Sequence, residues 1–397
     1  MTEIAEQLEE LRGSGLYRRL RTVESPQGPE ILLDGHPVLL LCSNNYLGLA
    51  AHPLVREAAA EAAIRWGAGS GASRLISGSM APHRALEGRL AAFKGYDAAL
   101  LFGSGYLANS GVIAALARRG EVVFSDELNH ASIIDGCRLA RAETFVYRHA
   151  DLEHLAWALR SAGARAALIV SDGLFSMDGD RAPLEGLLDL ARRHGCRLMV
   201  DEAHATGTVG PGGRGTVAAA GLAGEVDVLV GTLGKALGSY GAYVCASAEM
   251  AEYLLNTVRS FIFSTALPPP AVAAAEEALA LLEAEPDMIQ RLAVNSAVLR
   301  EALAAEGLPI GEGRSQIVPV RVGDSEQAMR LSEILLEHGF FVQGIRPPTV
   351  PEGTSRLRFT AMSTHDPTAL QRAARVLGAA TRSIGLGAPG TAVPLAA

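Results

Sequence analysis

The chain has 397 residues, of which 49% are hydrophobic and 20% charged, so it is long enough for a large core and for two domains. A formal charge of -8 without a dense Lys/Arg run argues against a nucleic-acid binder, which needs a basic face. Four widely spaced cysteines with no C-x-x-C pair suggest neither a disulfide framework nor a zinc cluster, and they fit a reduced cytoplasm.

The predicted elements begin with an amphipathic N-terminal segment, MTEIAEQLEELRGSGLYRRLR, which lacks the apolar region of a signal peptide. No run of about 18 apolar residues follows it anywhere, so no membrane association is expected. A hairpin is predicted in ILLDGHPVLLL, with its turn at Asp34-Gly35. We expect residues 1–45 to pack with a small C-terminal domain.

Between residues 95 and 245, short apolar runs alternate with helical patterns, which predicts βαβ units on a mostly parallel seven-stranded sheet flanked by helices. The predicted strands are AALLF (98–102), EVVFS (121–125), TFVYR (144–148), AALIVS (166–171), RLMVD (197–201), DVLVG (227–231) and AYVCA (242–246). This α/β pattern predicts a large domain over residues 46–275. After it, QIVPVRV, SEQAMRLSEILLEHGF, SRLRFTAM and PTALQRAARVLGAA predict a smaller α+β domain over 276–385, and 386–397 are predicted to be a flexible tail.

The segment FGSGYLANSG (102–111) follows a predicted strand and opens a helix, so its amides and the helix N-terminus predict an anion site. Ligands of open α/β sheets bind at such strand ends. The segment also fits G-x-G-x-x-A, which leaves open a dinucleotide site in which Asp126 holds a ribose hydroxyl. A tight turn that packs a helix on the sheet is the purely structural alternative.

Two ionisable residues follow neighbouring predicted strands. Asp201 ends RLMVD and opens DEAH, but a helicase is excluded because GTLGKA does not complete a P-loop. Lys235 lies among glycines and apolar residues in GTLGKALGSYGAYV, and poor solvation there favours the neutral amine that forms Schiff bases. A capping role for Asp201 and a surface role for Lys235 are the alternatives. Together with the anion site, the two residues predict a site for pyridoxal 5'-phosphate.

Nine segments carry a resemblance to a known family: SNNYLGL, GSGASRLISGS, FGSGYLANSG, DELNHASIIDG, GLFSMDGDRAPL, VDEAHATGTVGPGGRG, GTLGKALGSYG, RSFIFSTALPP and IRPPTVPEGTSRLRFT. In this order, over about residues 40–370, the chain resembles the α-oxoamine synthases, fold-type I pyridoxal-phosphate enzymes that join an amino acid to an acyl thioester with loss of carbon dioxide. FIFSTALPP and IRPPTVPEGTSRLR most resemble the members that make 8-amino-7-oxononanoate from L-alanine and a pimeloyl thioester in biotin biosynthesis. The resemblance implies a cytoplasmic acyltransferase that is a homodimer with shared active sites, and no metal.

The resemblance also implies roles for individual residues. Catalytic positions are matched by Lys235, His130, Asp201, His204 and Ser176. Cofactor contacts are matched by the same five residues together with Gly105, Tyr106 and Thr232, and by Ser264 and Thr265 from the neighbouring subunit. Substrate contacts are matched by Arg18, Asn45, His130, Thr349 and Arg358.

Within these sets, His130 matches a ring stacked on the pyridine and Arg358 a clamp for the amino-acid carboxylate, assisted by Asn45 or Asn44. Arg18 and Thr349 are expected to meet the distal carboxylate of a pimeloyl chain, since a buried charge needs a partner.

Several alternatives stay open at this point. Ser176 and Asn44 also fit plain turn positions, and Arg18, Arg346 and Arg356 also fit solvated charges. Other members of the family, namely glycine C-acetyltransferase, 5-aminolevulinate synthase and sphingoid-base synthases, share these motifs, and a Rossmann-type nucleotide-binding module is the more distant possibility. The acyl carrier, coenzyme A or acyl carrier protein, has no motif of its own.

Overall fold

The computed structural model of the protein describes residues 3–385, so the tail predicted at 386–397 lies outside the described residues. The strands are β1 (Glu30–Leu33), β2 (His36–Leu40), β3 (Ala98–Phe102), β4 (Val122–Asp126), β5 (Glu143–Tyr147), β6 (Ala166–Asp172), β7 (Arg197–Asp201), β8 (Val228–Thr232), β9 (Ala242–Ala246), β10 (Ile317–Gly323), β11 (Phe340–Phe341), β12 (Gln343–Ile345) and β13 (Ser355–Thr360).

The helices are α1 (Glu3–Gly13), α2 (Pro53–Trp66), α3 (Ala81–Lys94), α4 (Gly105–Leu116), α5 (Ala131–Ala140), α6 (Leu152–Ala162), α7 (Leu184–His194), α8 (Thr216–Ala219), α9 (Ala248–Thr257), α10 (Arg259–Ile262), α11 (Pro269–Ala284), α12 (Asp287–Ala305), α13 (Ser325–Glu337) and α14 (Pro367–Ser383). Over residues 3–385, no helix is both long enough and apolar enough to span a bilayer.

The chain forms two compact units. The central unit contains residues 47–176 and 180–289, and the terminal unit contains the chain up to residue 46, residues 177–179 and the chain from residue 290 onward. Each unit has its own sheet or sheets.

The central unit is built on a seven-stranded sheet in the order β3-β9-β8-β7-β6-β4-β5. β9 is antiparallel to both of its neighbours, whereas β8, β7, β6, β4 and β5 pair in parallel. The central strands are apolar and buried along most of their length, as expected for a sheet covered by helices on both faces. The predicted mostly parallel sheet is confirmed, and its parallel strands end at one common edge.

The terminal unit contains two smaller sheets, β1-β2-β11 and β10-β13-β12. The hairpin predicted at Asp34-Gly35 joins β1 to β2, with Leu33 opposite His36. Asp34 and Gly35 have φ of 48° and 80°, the left-handed pair that a two-residue turn between twisted strands requires. The sequence pattern predicts strands and helices in four C-terminal segments. These segments contain β10, α13, β13 and α14.

A buried ion pair lies beneath the turn that follows β7. Lys94, the last residue of α3, places Nζ 2.7 Å from Glu202 Oε2, and neither side chain has any exposed surface. The ammonium also donates to Thr206 Oγ1 at 2.9 Å and to the Arg214 carbonyl at 2.7 Å. All three of its protons therefore have an acceptor, which is the condition under which a buried lysine stays charged.

The other oxygen of Glu202 is equally well bonded. Oε1 accepts from the Thr216 hydroxyl and from the Val217 amide, both at 2.7 Å, at the start of α8. Gly215 lies against the same carboxylate with φ of +100°, and a Cβ there would come within 1.8 Å of Oε2. Only glycine fits this position, because both the backbone conformation and the close approach exclude a side chain.

We expect Lys94→Met to lower the free energy of unfolding by about 3–5 kcal/mol, because it leaves the Glu202 carboxylate buried without its counter-charge. Urea denaturation of the purified protein measures this loss. As a matched control, Lys94→Met combined with Glu202→Gln removes both charges and should be less destabilised than Lys94→Met alone. A double variant as unstable as the single one would contradict the ion-pair explanation.

Candidate active site

The polar residues predicted at strand ends gather along one edge of the central sheet. Asp172 of β6 is opposite Asp201 of β7 in the parallel register, and Asp201 is opposite Val230 of β8. Both carboxylates are buried, with 3% and 4% of the residue surface exposed. Such a pair needs nearby donors or a proton, because two buried negative charges side by side are unstable.

Asp201 is held by α4. Its Oδ2 accepts from the Asn109 side-chain amide at 2.6 Å, and its Oδ1 accepts from the Ala203 backbone N–H at 2.8 Å. Asn109 also donates to Ser132 Oγ at 2.9 Å on α5. Each oxygen of the carboxylate thus has its own donor, which fixes the orientation of the group. A fixed orientation is what a residue needs in order to bind a single ligand atom.

Lys235 and His204 are in direct contact. Lys235 Nζ lies 2.8 Å from His204 Nε2, although the two residues belong to different strand-end turns. His204 is 6% exposed and Lys235 is half-buried. Gly238 closes the lysine turn with φ of +61° and packs so tightly that a Cβ would come within 2.3 Å of the Ala50 amide nitrogen. The glycine-rich sequence therefore serves to bring the lysine to the sheet edge.

The N-terminus of α4 presents the predicted anion site. Ser104 caps it by accepting from the Leu107 N–H at 3.2 Å, and Gly105 is the first helical residue. Tyr106 is exposed, and its hydroxyl donates to Asp135 of α5. Thr232 ends β8 and donates to the Gly241 carbonyl at 3.1 Å.

His130 caps the N-terminus of α5. Its backbone N–H donates to Asp172 Oδ2 at 2.9 Å, and its ring Nδ1 lies 2.7 Å from Ser132 Oγ. Desolvation of the ring lowers the pKa of His130 and Lys235 lowers it further, whereas Asp201 opposes the shift. Burial, followed by the charge of Asp201, raises the pKa of Asp172 well above its usual range. We expect a neutral ring at His130 and a protonated carboxyl at Asp172.

Three further predicted residues lie in loops of the central unit. Ser176 is half-buried and follows the buried Phe175. Thr265 is exposed and forms an isolated bridge with Ser73, and the adjacent Ser264 is half-buried. Ser264 and Thr265 therefore lie together on a segment tied to residue 73.

The predicted carboxylate clamp lies in the terminal unit. Arg358 of β13 is 6% exposed, and both of its Nη atoms lie 3.4 Å from Asn44 Oδ1. Its Nη2 is also 3.4 Å from the Tyr46 hydroxyl. The sequence left open whether Asn44 or Asn45 assists Arg358, and Asn44 makes this contact. The adjacent Asn45 is buried.

The remaining arginines divide into exposed and buried residues. Arg18 is exposed, as is Thr349, whose amide donates to the Arg346 carbonyl at 3.2 Å. Arg346 and Arg356 are 8% and 5% exposed, so neither is an ordinary solvated charge. Arg356 is explained by an ion pair with Asp178 at 2.5 Å.

Comparison with known proteins identifies the family. The model of the family described as aminotransferase class I and II matches residues 36–377. The chain belongs to this family. Its curated relatives include the 8-amino-7-oxononanoate synthase of Geobacter sulfurreducens, 54% identical over 96% of this chain and 99% of the relative. The synthase of that name from Citrifermentans bemidjiense is 50% identical over 97% of this chain and 100% of the relative.

Two solved structures place the fold within the aminotransferase family. A serine palmitoyltransferase from S. paucimobilis with bound PLP and myriocin superimposes with a TM-score of 0.92, at 35% identity over 97% of this chain and 98% of that one. An 8-amino-7-oxononanoate synthase from Francisella tularensis has a TM-score of 0.77, at 29% identity over 88% of this chain and 99% of that one. The predicted fold-type I architecture is confirmed.

The alternative of a dinucleotide site at Asp126 is wrong. Asp126 Oδ1 accepts from the Leu128 N–H and faces His149 Nδ1, each at 2.9 Å, and Oδ2 accepts from the Ala150 N–H at 2.9 Å. The residue is 2% exposed and both oxygens are engaged within the chain, so a ribose hydroxyl has no access to the carboxylate. The aminotransferase family match explains the glycine-rich segment before α4 without a nucleotide.

Sequence reasoning missed three residues of this site: Asn109, Asp172 and His149. Asn109 stands in the quoted segment FGSGYLANSG, one helical turn after Gly105, and this spacing could have indicated that it faces the strand ends. Asp172 directly follows the predicted strand AALIVS (166–171), a position much like that of Asp201 at the end of RLMVD. For His149, nothing in the local pattern points to a role.

The donors at the sheet edge fit pyridoxal phosphate. Helix N-terminal amides at Gly105 suit a phosphate, the fixed carboxylate of Asp201 suits a protonated ring nitrogen, and the amine of Lys235 suits an aldehyde carbon. Asn109 adds a specific observation. Its side-chain nitrogen donates to both Asp201 and Ser132, while its Oδ1 is buried without a hydrogen-bond partner within residues 3–385. The side chain is therefore oriented by its contacts to Asp201 and Ser132, and its own acceptor is left unpaired.

Proposed function

We propose that this chain is a pyridoxal-phosphate enzyme that condenses L-alanine with a pimeloyl thioester, releasing carbon dioxide and the thiol carrier and forming 8-amino-7-oxononanoate for biotin biosynthesis. The observation that carries the proposal is the contact of 2.8 Å between Lys235 and His204 beside the fixed Asp201, in a chain 54% identical to a synthase of that name. Small molecules are its substrates.

Pyridoxal phosphate, when bound, supplies an aldehyde carbon and an electron-withdrawing pyridinium ring. The amides at Gly105 and Tyr106, with the Thr232 hydroxyl, would hold its phosphate. The His130 ring would stack on the cofactor ring, and a neutral imidazole would do so without charge repulsion from the ring nitrogen.

Asp201 would accept the N–H of a protonated ring nitrogen and so favour the pyridinium form of the cofactor. Burial of the Asp201 side chain would make this charge-assisted bond stronger than it would be in water. The Asn109 amide fixes its orientation, so little reorganisation is needed when the cofactor enters.

Lys235 Nζ would hold the aldehyde carbon, and the same amine, once free, would accept the α-proton of L-alanine. His204 Nε2 is within hydrogen-bond distance of Nζ and could exchange a proton with it. Ser176, together with His130, would donate to the thioester oxygen as negative charge develops there. The Lys235 amine would also return a proton to the product carbon once carbon dioxide has left.

Arg358 binds the carboxylate of L-alanine. Its planar guanidinium is held by Asn44 and by the Tyr46 hydroxyl, so its orientation is fixed before a carboxylate binds. A lysine would not supply this geometry.

Arg18 and Arg346 supply positive charge for the distal carboxylate of the pimeloyl chain. Burial lowers the pKa of Arg346, and the charge of Arg18 lowers it further, so the two guanidinium groups oppose each other. Arg346 Nε is buried with no hydrogen-bond partner in the described part of the chain. A carboxylate bound here would offset both costs, and Thr349 adds a hydroxyl beside them.

The active form is proposed to be a homodimer in which Ser264 and Thr265 reach the cofactor phosphate of the neighbouring subunit. The exposed position of Thr265 supports this, since a residue that serves a partner must lie on the surface. A cytoplasmic location and the use of acyl carrier protein or coenzyme A as carrier also stay predictions.

Product analysis tests the function. L-alanine, glycine and serine are each combined with pimeloyl, acetyl, succinyl and palmitoyl thioesters, on coenzyme A and on acyl carrier protein. We expect 8-amino-7-oxononanoate from alanine and pimeloyl thioester at the highest kcat/KM. A preference for serine with a palmitoyl thioester would instead support the activity named for the serine palmitoyltransferase of similar fold.

Lys235→Ala should abolish turnover while leaving the circular dichroism spectrum unchanged, because a methyl group can neither bind the aldehyde carbon nor carry a proton. Borohydride treatment of the wild-type holoenzyme should link the cofactor to the peptide that contains Lys235, as read by mass spectrometry. A Lys235→Ala variant with near-wild-type activity, or a cofactor linked elsewhere, would end the proposal.

Asp201→Asn should reduce the rate by about 100-fold or more with little loss of bound cofactor, since an amide of the same shape cannot keep the ring nitrogen protonated. Exchange of the alanine α-proton in deuterated water, followed by NMR, isolates this step from the thioester. Exchange at the wild-type rate would show that Asp201 is not the partner of the ring nitrogen.

Arg18→Ala should raise KM for the pimeloyl thioester by the equivalent of about 1–3 kcal/mol, the cost of leaving a polar group unpaired, and should spare alanine binding. Steady-state kinetics with pimeloyl and uncharged octanoyl thioesters measure the difference. Arg19→Ala, a change at the neighbouring exposed arginine, is the matched control and should leave both KM values unchanged. An equal rise in KM for both acyl chains would show that Arg18 contacts the carrier or supports the fold and does not bind the distal carboxylate.

A further inference from the structure

His149 lies between two carboxylates of the central unit. Its Nδ1 is 2.9 Å from Asp126 Oδ1 and its Nε2 is 2.7 Å from Asp180 Oδ2. Carboxylates accept hydrogen bonds, so both ring nitrogens must donate, and an imidazole with two N–H groups is a cation. Each oxygen of Asp126 also accepts a backbone N–H, so this carboxyl group is surrounded by donors.

The electrostatics agree with this geometry. Burial by itself lowers the pKa of His149, but hydrogen bonds and charges from Asp126 and Asp180 reverse the effect and raise it to about 10. Asp126 and Asp180 are the carboxylates that face the ring, and the Phe175 ring lies edge-on to it at 4.4 Å. Without the imidazolium, two carboxylates would oppose each other at this place.

The backbone beside His149 is strained. Ala150 has φ of 55°, in the left-handed region that a residue with a Cβ adopts at a cost, and its N–H is aimed at Asp126 Oδ2. The His149 N–H donates to Glu127 Oε1 at 2.8 Å. The turn is therefore held in one conformation by contacts to the end of β4, and it presents the ring toward Asp180.

Asp180 belongs to the loop that carries Ser176. The Phe175 N–H donates to the Asp180 carbonyl at 2.9 Å, and Leu174 forms a bridge with Arg181, so the two ends of this loop are closed on each other. Asp180 Oδ1 is buried with no partner among the described residues. The carboxylate is therefore held through Oδ2, by its bond to His149.

We propose that His149 is a positioning residue: as an imidazolium that bridges Asp126 and Asp180, it fixes the loop of Ser176 to the end of β4 and so sets where the Ser176 hydroxyl points. The inference rests on the proposed function for the role of Ser176 and adds to it a residue that does not touch substrate or cofactor.

A double-variant cycle on the holoenzyme tests this role. H149Q keeps one donor and removes the charge, and we expect it to lower kcat about 10- to 100-fold with little change in KM for alanine, as expected for a misplaced group. In an S176A background, H149Q should lower kcat by less than about 2-fold, because the hydroxyl it positions is already absent. If H149Q lowers kcat by the same factor in the wild-type and S176A backgrounds, the proposal is overturned.

Two controls separate positioning from folding. H154Q changes a nearby histidine of α6 and should leave kcat unchanged. If H149Q does not fold, D180N supplies the same cycle, because it keeps the shape of the side chain and removes the charge that His149 binds. Equal losses in H154Q and H149Q would assign the effect to the fold and contradict the proposal.

The protonation of His149 is measured without turnover. With histidine labelled in the ring nitrogens, NMR of the wild-type holoenzyme at about pH 8 should show His149 doubly protonated, since its raised pKa lies above this pH. A neutral ring would overturn the proposal. If the wild-type protein made no 8-amino-7-oxononanoate, the proposed function would fail, while this measurement would still test the bridge.

Discussion

The buried ion pair between Lys94 and Glu202 is the constraint on which the site of the central unit depends. Glu202 stands between Asp201 and His204 in the chain, so fixing its carboxylate fixes the turn that carries both. A fully buried pair is costly unless every donor and acceptor is used. The bond that Thr206 accepts from Lys94 and the bond that Thr216 donates to Glu202 complete the set. The turn therefore has one stable arrangement, which is the precondition for holding a cofactor nitrogen at a set place.

Three aspartates end adjacent strands of the same sheet, and each is stabilised differently. Asp126 faces an imidazolium, Asp172 has its pKa raised by burial and by its neighbour, and Asp201 accepts from Asn109. Asp201 is thus held by fixed donors at the place proposed for the pyridinium, while burial and its neighbour favour the uncharged form of Asp172. Similar side chains at equivalent strand ends acquire different chemistry because their partners differ.

The same fold serves serine palmitoyltransferase and 8-amino-7-oxononanoate synthase, so the architecture alone does not select the substrate. The strand-end set of Asp201, His204 and Lys235 suits any reaction that starts from an amino acid and pyridoxal phosphate. Our proposal assigns selection of the acyl chain to residues outside this set. In the terminal unit, burial and the charge of Arg18 both lower the pKa of Arg346, so a carboxylate placed there would relieve the repulsion between the two guanidinium groups.

Local patterns in the sequence predicted the strands of the mostly parallel sheet and the residues proposed for the site. RLMVD and AYVCA have the predicted bounds, and Lys235, Asp201 and His204 stand in short motifs whose residue types already imply their chemistry. β11 and β12, with two and three residues, could not be predicted, because such short strands exist only through pairing with β2 and β13. The tertiary structure alone decided the states of Asp172 and His149. Their charge depends on partners distant in the chain, Asp201 for one and Asp126 with Asp180 for the other, and no local pattern encodes which groups folding brings within hydrogen-bond distance.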